Sequence, residues 1–398
     1  MQRSRWRHVA SATALASLLG VAPARAAQLV AAGSVVLPGR GLAVSWSPDG
    51  TALATGGHFR DPATKLRYDV RIVDVPHLRL AKSFACHGWW VVATAWQQNP
   101  FLGPVVADGA GDHSVKLWRA TGPGSTTCIP YQARAADGAL KQLPNVNGWT
   151  TSLAFSPDGR WLAGTSRDRA LRIWRLAPGA DQWKVVKLWY QGDVGNLTSV
   201  RWSPDGGRLL VSERTGSVAE WRFDPAHDLW DAATVAEFAK VGTTAQPAWF
   251  AAHSDTLAPA ALWREAGHKA IWNARYAPDG TRAAATGADG TLTVFQAVTG
   301  QVMWRAIPPK ATGLYGLDWS PDGRWIAAGA KDKSVYVYDA ATGRLAQTIA
   351  GSGDLVTAVA WSPDGSTLAS VAGGQLVQLG TNQESSGPDV SVRLWRWQ

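Results

Sequence analysis

The sequence contains little sulfur and little charge. Of its 398 residues two are cysteine and two are methionine, and charged residues make up 17%. Two cysteines are too few for a disulfide-rich scaffold or for a zinc site built from four thiolates. Hydrophobic residues make up 46% and glycine accounts for 41 positions, so the composition excludes a disordered chain and favours many short strands joined by tight turns.

Positive charge is too sparse to indicate a nucleic-acid-binding protein. The formal net charge is +9, but Arg3, Arg5, Arg7 and Arg25 lie in the first 26 residues, and without them the net charge is +5. The remaining basic residues are scattered and form no runs. We therefore expect no nucleic-acid partner.

Long apolar runs are missing, apart from a stretch near the N-terminus. Residues 1–26 have a basic start, an apolar stretch from Val9 to Val21, and Ala24-Arg25-Ala26 before Ala27, which is the pattern of a signal peptide. The stretch is too short to span a bilayer by itself, and neither a twin-arginine signal nor a lipid-accepting cysteine accompanies it. We expect an exported protein, periplasmic or extracellular, that is monomeric and not inserted in a membrane after signal removal.

Motifs of enzyme active sites are absent as well. The sequence has no zinc-protease helix motif, Gly-x-Ser-x-Gly elbow, Walker loop or paired-cysteine site, and its eight histidines are dispersed. Asp108-Gly-Ala-Gly-Asp112 brings two carboxylates close together, as a calcium loop would, but we interpret it as a structural turn. The sequence thus predicts no catalytic residue, no cofactor and no metal site.

What the sequence does contain is an internal repeat built on a Ser-Pro-Asp-Gly turn. Seven copies, of which the second is the degenerate Gln97-Gln98-Asn99-Pro100, begin at Ser47, Gln97, Ser156, Ser203, Ala277, Ser320 and Ser362. Pro presets one dihedral angle and Gly accepts a positive φ, so each copy predicts a turn between two strands. An aromatic residue precedes every copy: Trp46, Trp96, Phe155, Trp202, Tyr276, Trp319 and Trp361. Spacings of 42 to 74 residues are typical of a repeat architecture.

Each repeat continues with a strand that ends in an apolar or aromatic residue. These residues are Val73, Trp118, Trp174, Trp221, Phe295, Tyr338 and Trp395. An aspartate precedes four of the strands, and a carboxylate at this place can hold a tight turn by accepting backbone N–H bonds. The four predicted turn residues are Asp112, Asp168, Asp289 and Asp332.

This arrangement resembles the WD-repeat (WD40) β-propeller family over residues 28–398, as a bacterial exported member. The resemblance implies an all-β fold of four-stranded blades around a channel, in which closure protects the strand edges. The last repeat ends on its third strand at Trp395-Arg396-Trp397-Gln398, so we expect residues 28–37 to supply the missing strand and close the ring. The turns are also similar to those of TolB-type propellers, a weaker resemblance.

The number of blades depends on residues 224–255, which lie in the widest interval. They include an Ala-rich, partly helical pattern from Leu229 to Lys240. The interval of 74 residues is too short for two repeats of the minimum spacing of 42, and it holds no further Ser-Pro-Asp-Gly turn. We predict one domain, residues 27–398, with seven blades and an insertion at about 224–255; eight blades are the alternative.

The match to the family is incomplete at one buried position. Its blades share a hydrogen-bonded set of His, Ser or Thr, Asp and Trp, in which the histidine follows a glycine. That Gly-His pair survives intact only as Gly267-His268, with His87 as a partial second copy. We therefore expect the set to be incomplete in most blades.

The resemblance also implies a binding surface. WD-repeat proteins commonly contact partners through residues just before each first strand and just before each turn aspartate. The first position is matched by Arg40, Trp90, Trp149, Trp272 and Tyr315, and the second by Arg167 and Lys331. Aromatic residues and arginine are favoured in binding hot spots, although these rings could instead pack between blades. We expect a non-catalytic scaffold of the bacterial cell envelope whose partner is a protein or peptide.

Two loop insertions and two cysteines complete the sequence-based expectations. Residues 58–69 and 373–389 lengthen the loops of the first and last blades, and we expect them side by side on the face opposite the Ser-Pro-Asp-Gly turns. An oxidising compartment allows a disulfide between Cys86 and Cys128. Both residues are expected on outer strands of neighbouring blades, which diverge toward the rim, so the bridge is disfavoured.

Two other functions remain open. A quinoprotein-like propeller enzyme would carry a motif resembling Ala-x-Asp-x-x-Thr-Gly-x-x-x-Trp, but Thr299-Gly300 with Trp304 lacks the Asp, and in the repeat of Thr342-Gly343 Gln347 replaces the Trp. Binding of a small ligand in the central channel is the other alternative, for which the sequence provides no specific polar constellation.

Overall fold

The strands of the chain form seven four-stranded antiparallel sheets. The computed structural model describes residues 27–60, 68–99, 103–119, 142–143, 148–175, 185–190, 196–226, 229, 231–238, 240–241, 248–249, 252, 261–264, 270–310, 312–373 and 390–398. Six sheets contain four consecutive strands in chain order, and the seventh combines the last three strands with the first strand of the chain. The first strands of neighbouring sheets are in contact all around, including those of the last and first sheets. The predicted seven-bladed propeller is confirmed.

The strands are short, as the repeat predicts. The first half of them are β1 (Leu29–Val36), β2 (Arg40–Trp46), β3 (Ala52–Arg60), β4 (Tyr68–Asp74), β5 (Arg79–His87), β6 (Val91–Asn99), β7 (Gly103–Ala110), β8 (Val115–Arg119), β9 (Gln142–Leu143), β10 (Thr150–Phe155), β11 (Trp161–Ser166), β12 (Ala170–Arg175), β13 (Val185–Tyr190) and β14 (Leu197–Trp202).

The second half are β15 (Arg208–Glu213), β16 (Ser217–Arg222), β17 (Ala261–Arg264), β18 (Ile271–Tyr276), β19 (Arg282–Gly287), β20 (Leu292–Gln296), β21 (Val302–Ala306), β22 (Leu314–Trp319), β23 (Trp325–Ala330), β24 (Val335–Asp339), β25 (Leu345–Ile349), β26 (Val356–Trp361), β27 (Thr367–Ala372) and β28 (Ser391–Trp397). Blade one is β2–β5, blade two β6–β9, blade three β10–β13, blade four β14–β17, blade five β18–β21 and blade six β22–β25, and blade seven is β26–β28 with β1.

The two ends of the chain meet in blade seven. Strand β1 pairs antiparallel with β28, from Leu29 opposite Trp397 to Val36 opposite Ser391. Gln347 of blade six fastens β1 from the neighbouring blade: Leu29 N–H donates to Gln347 Oε1 at 2.8 Å, and Gln347 Nε2 donates to Leu29 O at 2.7 Å. The closing strand predicted at residues 28–37 is therefore present, and it is bonded to β28 of its own blade and to blade six.

Turns of the Ser-Pro-Asp-Gly type join the first and second strands of six blades. In blade one, Ser47 Oγ donates to Asp49 Oδ1 at 2.6 Å, and the same oxygen accepts Thr51 N–H at 3.0 Å. Blade two differs, because β6 continues through Gln97 to Asn99 instead of turning there. Gln97 to Asn99 of the degenerate second copy are thus part of a longer strand, and the prediction of a turn at these residues was wrong.

The aromatic residues before these turns form the contacts between blades. All but Trp96 and Phe155 are buried below a tenth of their surface, and they lie at or near the ends of the first strands. Trp46 Nε1 donates to Ala360 O of blade seven at 2.9 Å, and Trp202 Nε1 donates to Ala154 O of blade three at 3.0 Å. These two rings therefore bury apolar surface between two sheets and also link the sheets through a backbone carbonyl.

The predicted insertion lies between the third and fourth strands of blade four. It contains a short helix, α1 (Ala232–Phe238), where Asp231 Oδ1 accepts Thr234 N–H at 2.7 Å as an N-cap. Trp249 Nε1 donates to Glu237 at 2.6 Å, and Trp249 packs with Val241 against the apolar cluster of blades two and three. The described parts of this segment are an insertion on the propeller and not an eighth blade.

Several sequence-based expectations lie outside the described residues. They include the signal peptide at residues 1–26, Cys128 of the proposed disulfide, and Gly267-His268. Within the described part of the chain, no helix has both the length and the apolar character required to cross a membrane.

Candidate functional site

Each first strand carries a β-bulge near its start, after the second paired residue in β2 and after the first paired residue in the other six strands. A bulge turns the extra side chain away from the regular pleat. The seven bulged residues are Leu42, Val92, Thr151, Thr198, Trp272, Tyr315 and Thr357. All of them line one cavity of about 210 Å³ at the mouth of the central channel. The bulges thus form a ring of side chains where the seven blades converge.

Six of the seven predicted binding residues line this same cavity. They are Arg40, Trp90, Trp149, Arg167, Trp272 and Tyr315, contributed by five blades. Lys331 does not line it, although its backbone N–H bonds Gly313 O at 2.9 Å, as Arg167 N–H bonds Trp149 O at 3.0 Å. We call the cavity with its surrounding residues Arg40, His58, Trp89, Trp90, Trp149, Arg167, Arg214, Trp272 and Tyr315 the mouth.

Three of these residues, Arg40, Trp272 and Tyr315, lie within their first strands and not just before them as predicted. Trp90 and Trp149 directly precede their first strands, whereas Trp272 and Tyr315 are the second residues of β18 and β22, at the bulge. The prediction treated the four as equivalent. They nevertheless reach the same cavity, because the bulge directs its side chain toward the channel.

A group of tryptophans forms one side of the mouth. The ring centroids of Trp89 and Trp90 are 6.1 Å apart, and that of Trp149 is 6.1 Å from Trp89 and 6.5 Å from Trp90. His58 meets Trp90 edge to face at 5.0 Å. Trp89 is 43% exposed, so this group presents apolar surface beyond the cavity itself. Trp89 was not among the residues predicted from the sequence, although it directly precedes the predicted Trp90.

Arginines stack on the aromatic rings of the mouth. The guanidinium carbon of Arg167 lies 3.7 Å from the ring centre of Trp149. On the other side, Arg214 lies 5.7 Å from the ring centre of Trp272, which is 5.6 Å from that of Tyr315. Arg214 was also missed: it precedes a turn as Arg167 does, but Thr215 stands where the other blades have an aspartate.

Positive charge is concentrated around this cavity. Five arginines line it, namely Arg40, Arg167, Arg201, Arg214 and Arg275, and the described lining contains no carboxylate. Burial, together with the charge of Arg214, lowers the pKa of Arg167 to about 10. Burial and the charge of Arg275 lower the pKa of Arg201 well below its ordinary value. Both shifts express the cost of holding several cations together in a partly desolvated place.

Deeper in the channel, an ion pair and a set of hydrogen bonds hold two of the arginines. Arg275 Nη1 donates to Asp318 Oδ1 at 2.7 Å, and Asp318 Oδ2 accepts Trp361 N–H at 2.7 Å. Arg201 Nη1 donates to Ser152 Oγ at 2.9 Å and to Val200 O at 2.6 Å. Burial raises the pKa of Asp318 although Arg275 opposes the shift. These two arginines are therefore structural members of the channel wall.

Some buried polar atoms beside Arg275 have no hydrogen-bond partner among the described residues. Trp272 Nε1, Asn273 Oδ1 and Arg275 Nε are buried and have no hydrogen-bond partner among the described residues. Buried polar groups are ordinarily satisfied, so water or a ligand is expected to complete these bonds.

The four predicted turn aspartates make the same local contact. Each accepts the backbone N–H of the residue two positions later, at 2.9 to 3.2 Å: Asp112, Asp168, Asp289 and Asp332. Two of them also bind a side chain in place of the family's histidine. Asp168 pairs with the buried Arg172 at 2.5 Å, and Asp332 accepts the hydroxyl of Tyr336 at 2.5 Å.

Blade two contains the complete buried set of His, Ser, Asp and Trp. His87 Nε2 lies 3.1 Å from Asp108, and Trp118 Nε1 donates to the other oxygen of Asp108 at 2.8 Å. His87 Nδ1 lies 3.0 Å from both Ser114 Oγ and Asp112 Oδ2. Asp108 and Asp112 thus face a histidine, and the described residues include no cluster suited to a metal ion.

The residues that resemble half of a quinoprotein motif have structural contacts. Trp304 Nε1 donates to Ala340 O at 3.1 Å, and its ring packs against Gly343 of the next blade. Gln347, which stands in place of the second tryptophan, holds β1.

Fold and site together define a closed β-propeller with an aromatic, arginine-rich mouth. Comparison with known families finds the WD domain, G-beta repeat (WD40), at residues 141–175, 262–296, 308–339 and 343–378. The chain is a seven-bladed β-propeller that contains four WD40 repeats.

Matches to individual proteins are local. A segment of 109 residues is 28% identical to the small ribosomal subunit protein RACK1y of Oryza sativa, covering 27% of this chain and 26% of that protein. Protein HIRA of Xenopus laevis is 27% identical over 143 residues, 32% of this chain and 13% of HIRA. The nuclear distribution protein PAC1 of Arthroderma otae is 34% identical over 82 residues, 21% of this chain and 14% of PAC1. The matches span about a quarter or less of these relatives.

Proposed function

We propose that this propeller is a non-catalytic scaffold that binds a segment of a partner protein at its mouth. The main support is that six residues predicted from the sequence to bind a partner, spread between positions 40 and 315, line one cavity. Tryptophan, tyrosine and arginine provide most of the binding energy in protein interfaces. The cavity of about 210 Å³ is smaller than the roughly 300–1,000 Å³ of sites that enclose drug-sized ligands, which favours insertion of one or two partner side chains.

The chemistry of the lining supports binding. Its described polar side chains are guanidinium groups, hydroxyls, the two amides of Asn196 and Asn273, indole N–H groups and the imidazole of His58. These groups hold a ligand through hydrogen bonds and charge. One relative is named as a protein of the small ribosomal subunit, that is, a component of a larger assembly.

Site-specific crosslinking tests the mouth as the docking surface. The photoreactive residue p-benzoylphenylalanine replaces Trp89, and the protein is irradiated with an extract of the cell envelope. The matched control carries the same group at Val298, 66% exposed on the rim of blade five. We expect a discrete crosslinked product from position 89 only.

The second arm of that experiment combines the probe at position 89 with Trp272→Ala and Tyr315→Ala. Loss of both rings is expected to reduce the product severalfold while the melting temperature shows that the protein is folded. An equal yield from positions 89 and 298, or a yield that the double substitution leaves unchanged, would place docking elsewhere.

We further propose that the protein is exported to the periplasm or beyond after cleavage before Ala27. The proposal is supported by the basic, apolar and small-residue segments of residues 1–26. Sequencing the N-terminus of protein isolated from the producing cell is expected to begin at Ala27. Protein retained in the cytoplasm with an intact Met1 would contradict export.

A further inference from the structure

Three arginines of the mouth carry charge that no carboxylate in the described part of the propeller balances. Elsewhere, partly buried arginines are paired with carboxylates: Arg172 with Asp168, Arg208 with Glu220, and Arg275 with Asp318. Among the described residues, no carboxylate lies within ion-pair distance of Arg40, Arg167 or Arg214, and all three line the cavity. Within the part of the chain that the structure describes, the mouth is therefore a place where cations have no carboxylate partner.

The contacts of these arginines leave their hydrogen-bond donors available. Arg167 and Arg214 lie over the faces of Trp149 and Trp272. Stacking uses the flat face of a guanidinium group, whereas its N–H donors lie in the plane and point outward. An aromatic ring thus positions each cation without neutralising it. A carboxylate can then be bound in two-point fashion at the free edge.

The three arginines are distributed around the ring. Arg40 belongs to blade one, Arg167 follows β11 of blade three, and Arg214 follows β15 of blade four. A peptide with several carboxylates can pair with cations on three separate blades at once. Burial and the charge of Arg214 lower the pKa of Arg167, and a carboxylate at this place would oppose that shift.

We propose that the segment bound at the mouth is acidic, with its aspartate or glutamate side chains held by Arg40, Arg167 and Arg214. This inference rests on the proposed function, because it specifies the chemistry of the partner at the same site. The exposed ring of Trp89 and the cavity behind it bind the apolar part of that segment.

Peptide display tests the chemistry without knowledge of the partner. A library of random 12-residue peptides is selected on four immobilised proteins: the wild type, a charge variant, a ring variant and a matched control. The charge variant combines Arg40→Gln, Arg167→Gln and Arg214→Gln. The ring variant combines Trp272→Ala and Tyr315→Ala. The control, Arg119→Gln, Arg175→Gln, Arg222→Gln, removes three exposed arginines that end the third strands of blades two, three and four, on the opposite face. The control therefore loses three positive charges, as the charge variant does, but away from the mouth.

The wild type and the matched control are expected to enrich the same peptides, rich in Asp and Glu. Synthetic copies should bind the charge variant about tenfold more weakly, as the loss of three partly exposed ion pairs implies, and binding should weaken with added salt. Replacing their Asp and Glu by Asn and Gln should weaken binding equally.

The outcomes separate this inference from the proposed function. Neutral or basic peptides that depend on Trp272 and Tyr315 would overturn the acidic partner and leave the docking mouth in place. Peptides that bind the ring variant as well as the wild type, or no enrichment at all, would overturn both. Stronger binding of a single-stranded 12-nucleotide DNA than of the selected peptides would also overturn the acidic-peptide assignment.

Discussion

His87 shows how a single residue is tuned by its surroundings. Its imidazole is buried with carboxylates on both sides, Asp108 at Nε2 and Asp112 at Nδ1, and only the doubly protonated ring can donate to both. Burial disfavours that charged form, but the charge and hydrogen bonds of Asp108 and Asp112 outweigh it and raise the pKa of His87. Hydrogen bonds and charge likewise hold the pKa of Asp112 well below its ordinary value despite burial.

We predict a pH-dependent contribution of His87 to stability. A raised folded-state pKa stabilises the fold fully below the unfolded value of about 6.5, and the contribution is lost as the pH rises through the higher folded value. The contribution of Asp112 is lost only as the pH falls below about 4. The difference in unfolding free energy between wild type and His87→Gln is therefore expected to be largest near pH 5–6 and to shrink toward alkaline pH.

Urea titrations at several pH values measure this difference. His113→Asn is the control, since His113 lies exposed in the same turn, one residue after Asp112. A difference for His87→Gln that stays constant from pH 5 to pH 9 would show that the fold does not raise the pKa of His87.

Among the elements, the Ser-Pro-Asp-Gly turn is the most regular. In blade four, Gly206 has φ of 73°, a left-handed conformation that costs other residues about 1–2 kcal/mol. A Cβ atom there would meet only Pro157 Cδ, at 3.6 Å, an ordinary contact. The requirement for glycine is therefore conformational and not steric.

The neighbouring glycine provides a test of that distinction. Gly206→Ala is expected to lower the unfolding free energy by about 1 kcal/mol. Gly207→Ala, where φ is not positive and the nearest atom is 3.7 Å away, is expected to be neutral or to stabilise by up to about 0.5 kcal/mol. Chemical denaturation of both variants measures the difference, and equal effects would refute the conformational explanation.

For the whole molecule, closure of the ring is the decisive feature. Strand β1, at the start of the chain, pairs with β28 at its end. Two hydrogen bonds between Leu29 and Gln347 join blade seven to blade six. Without β1, the edge of β28 would be unpaired and open to association with other chains.

Gln347→Ala is predicted to loosen this closure. Two partly buried hydrogen bonds are lost, so we expect a loss of about 1–2 kcal/mol in unfolding free energy. Hydrogen exchange of residues 28–36 should become faster. Gln301→Ala, exposed before β21 of blade five, is the control. Unchanged exchange in β1 would mean that pairing with β28 alone closes the ring.

The candidate site was predictable only in part. Arg40, Trp90, Trp149 and Arg167 follow from their places beside strands and turns, because those positions repeat. Arg201 and Arg275 lie within first strands, where an alternating pattern gives no sign that their neighbours form a channel. Arg214 was missed because the turn after it lacks the aspartate, and Lys331 was selected although it lies outside the cavity.

The sequence by itself determined the turns, the strands, the number of blades and the strand that closes the ring, because these depend on local conformational preferences repeated at a regular spacing. Only the tertiary structure decided which residues meet. Seven first strands converge at one channel, and a bulge in each turns a side chain into it, so residues from Arg40 to Thr357 share one cavity. The positive charge of the described lining is a sum over several blades, so no single repeat contains it.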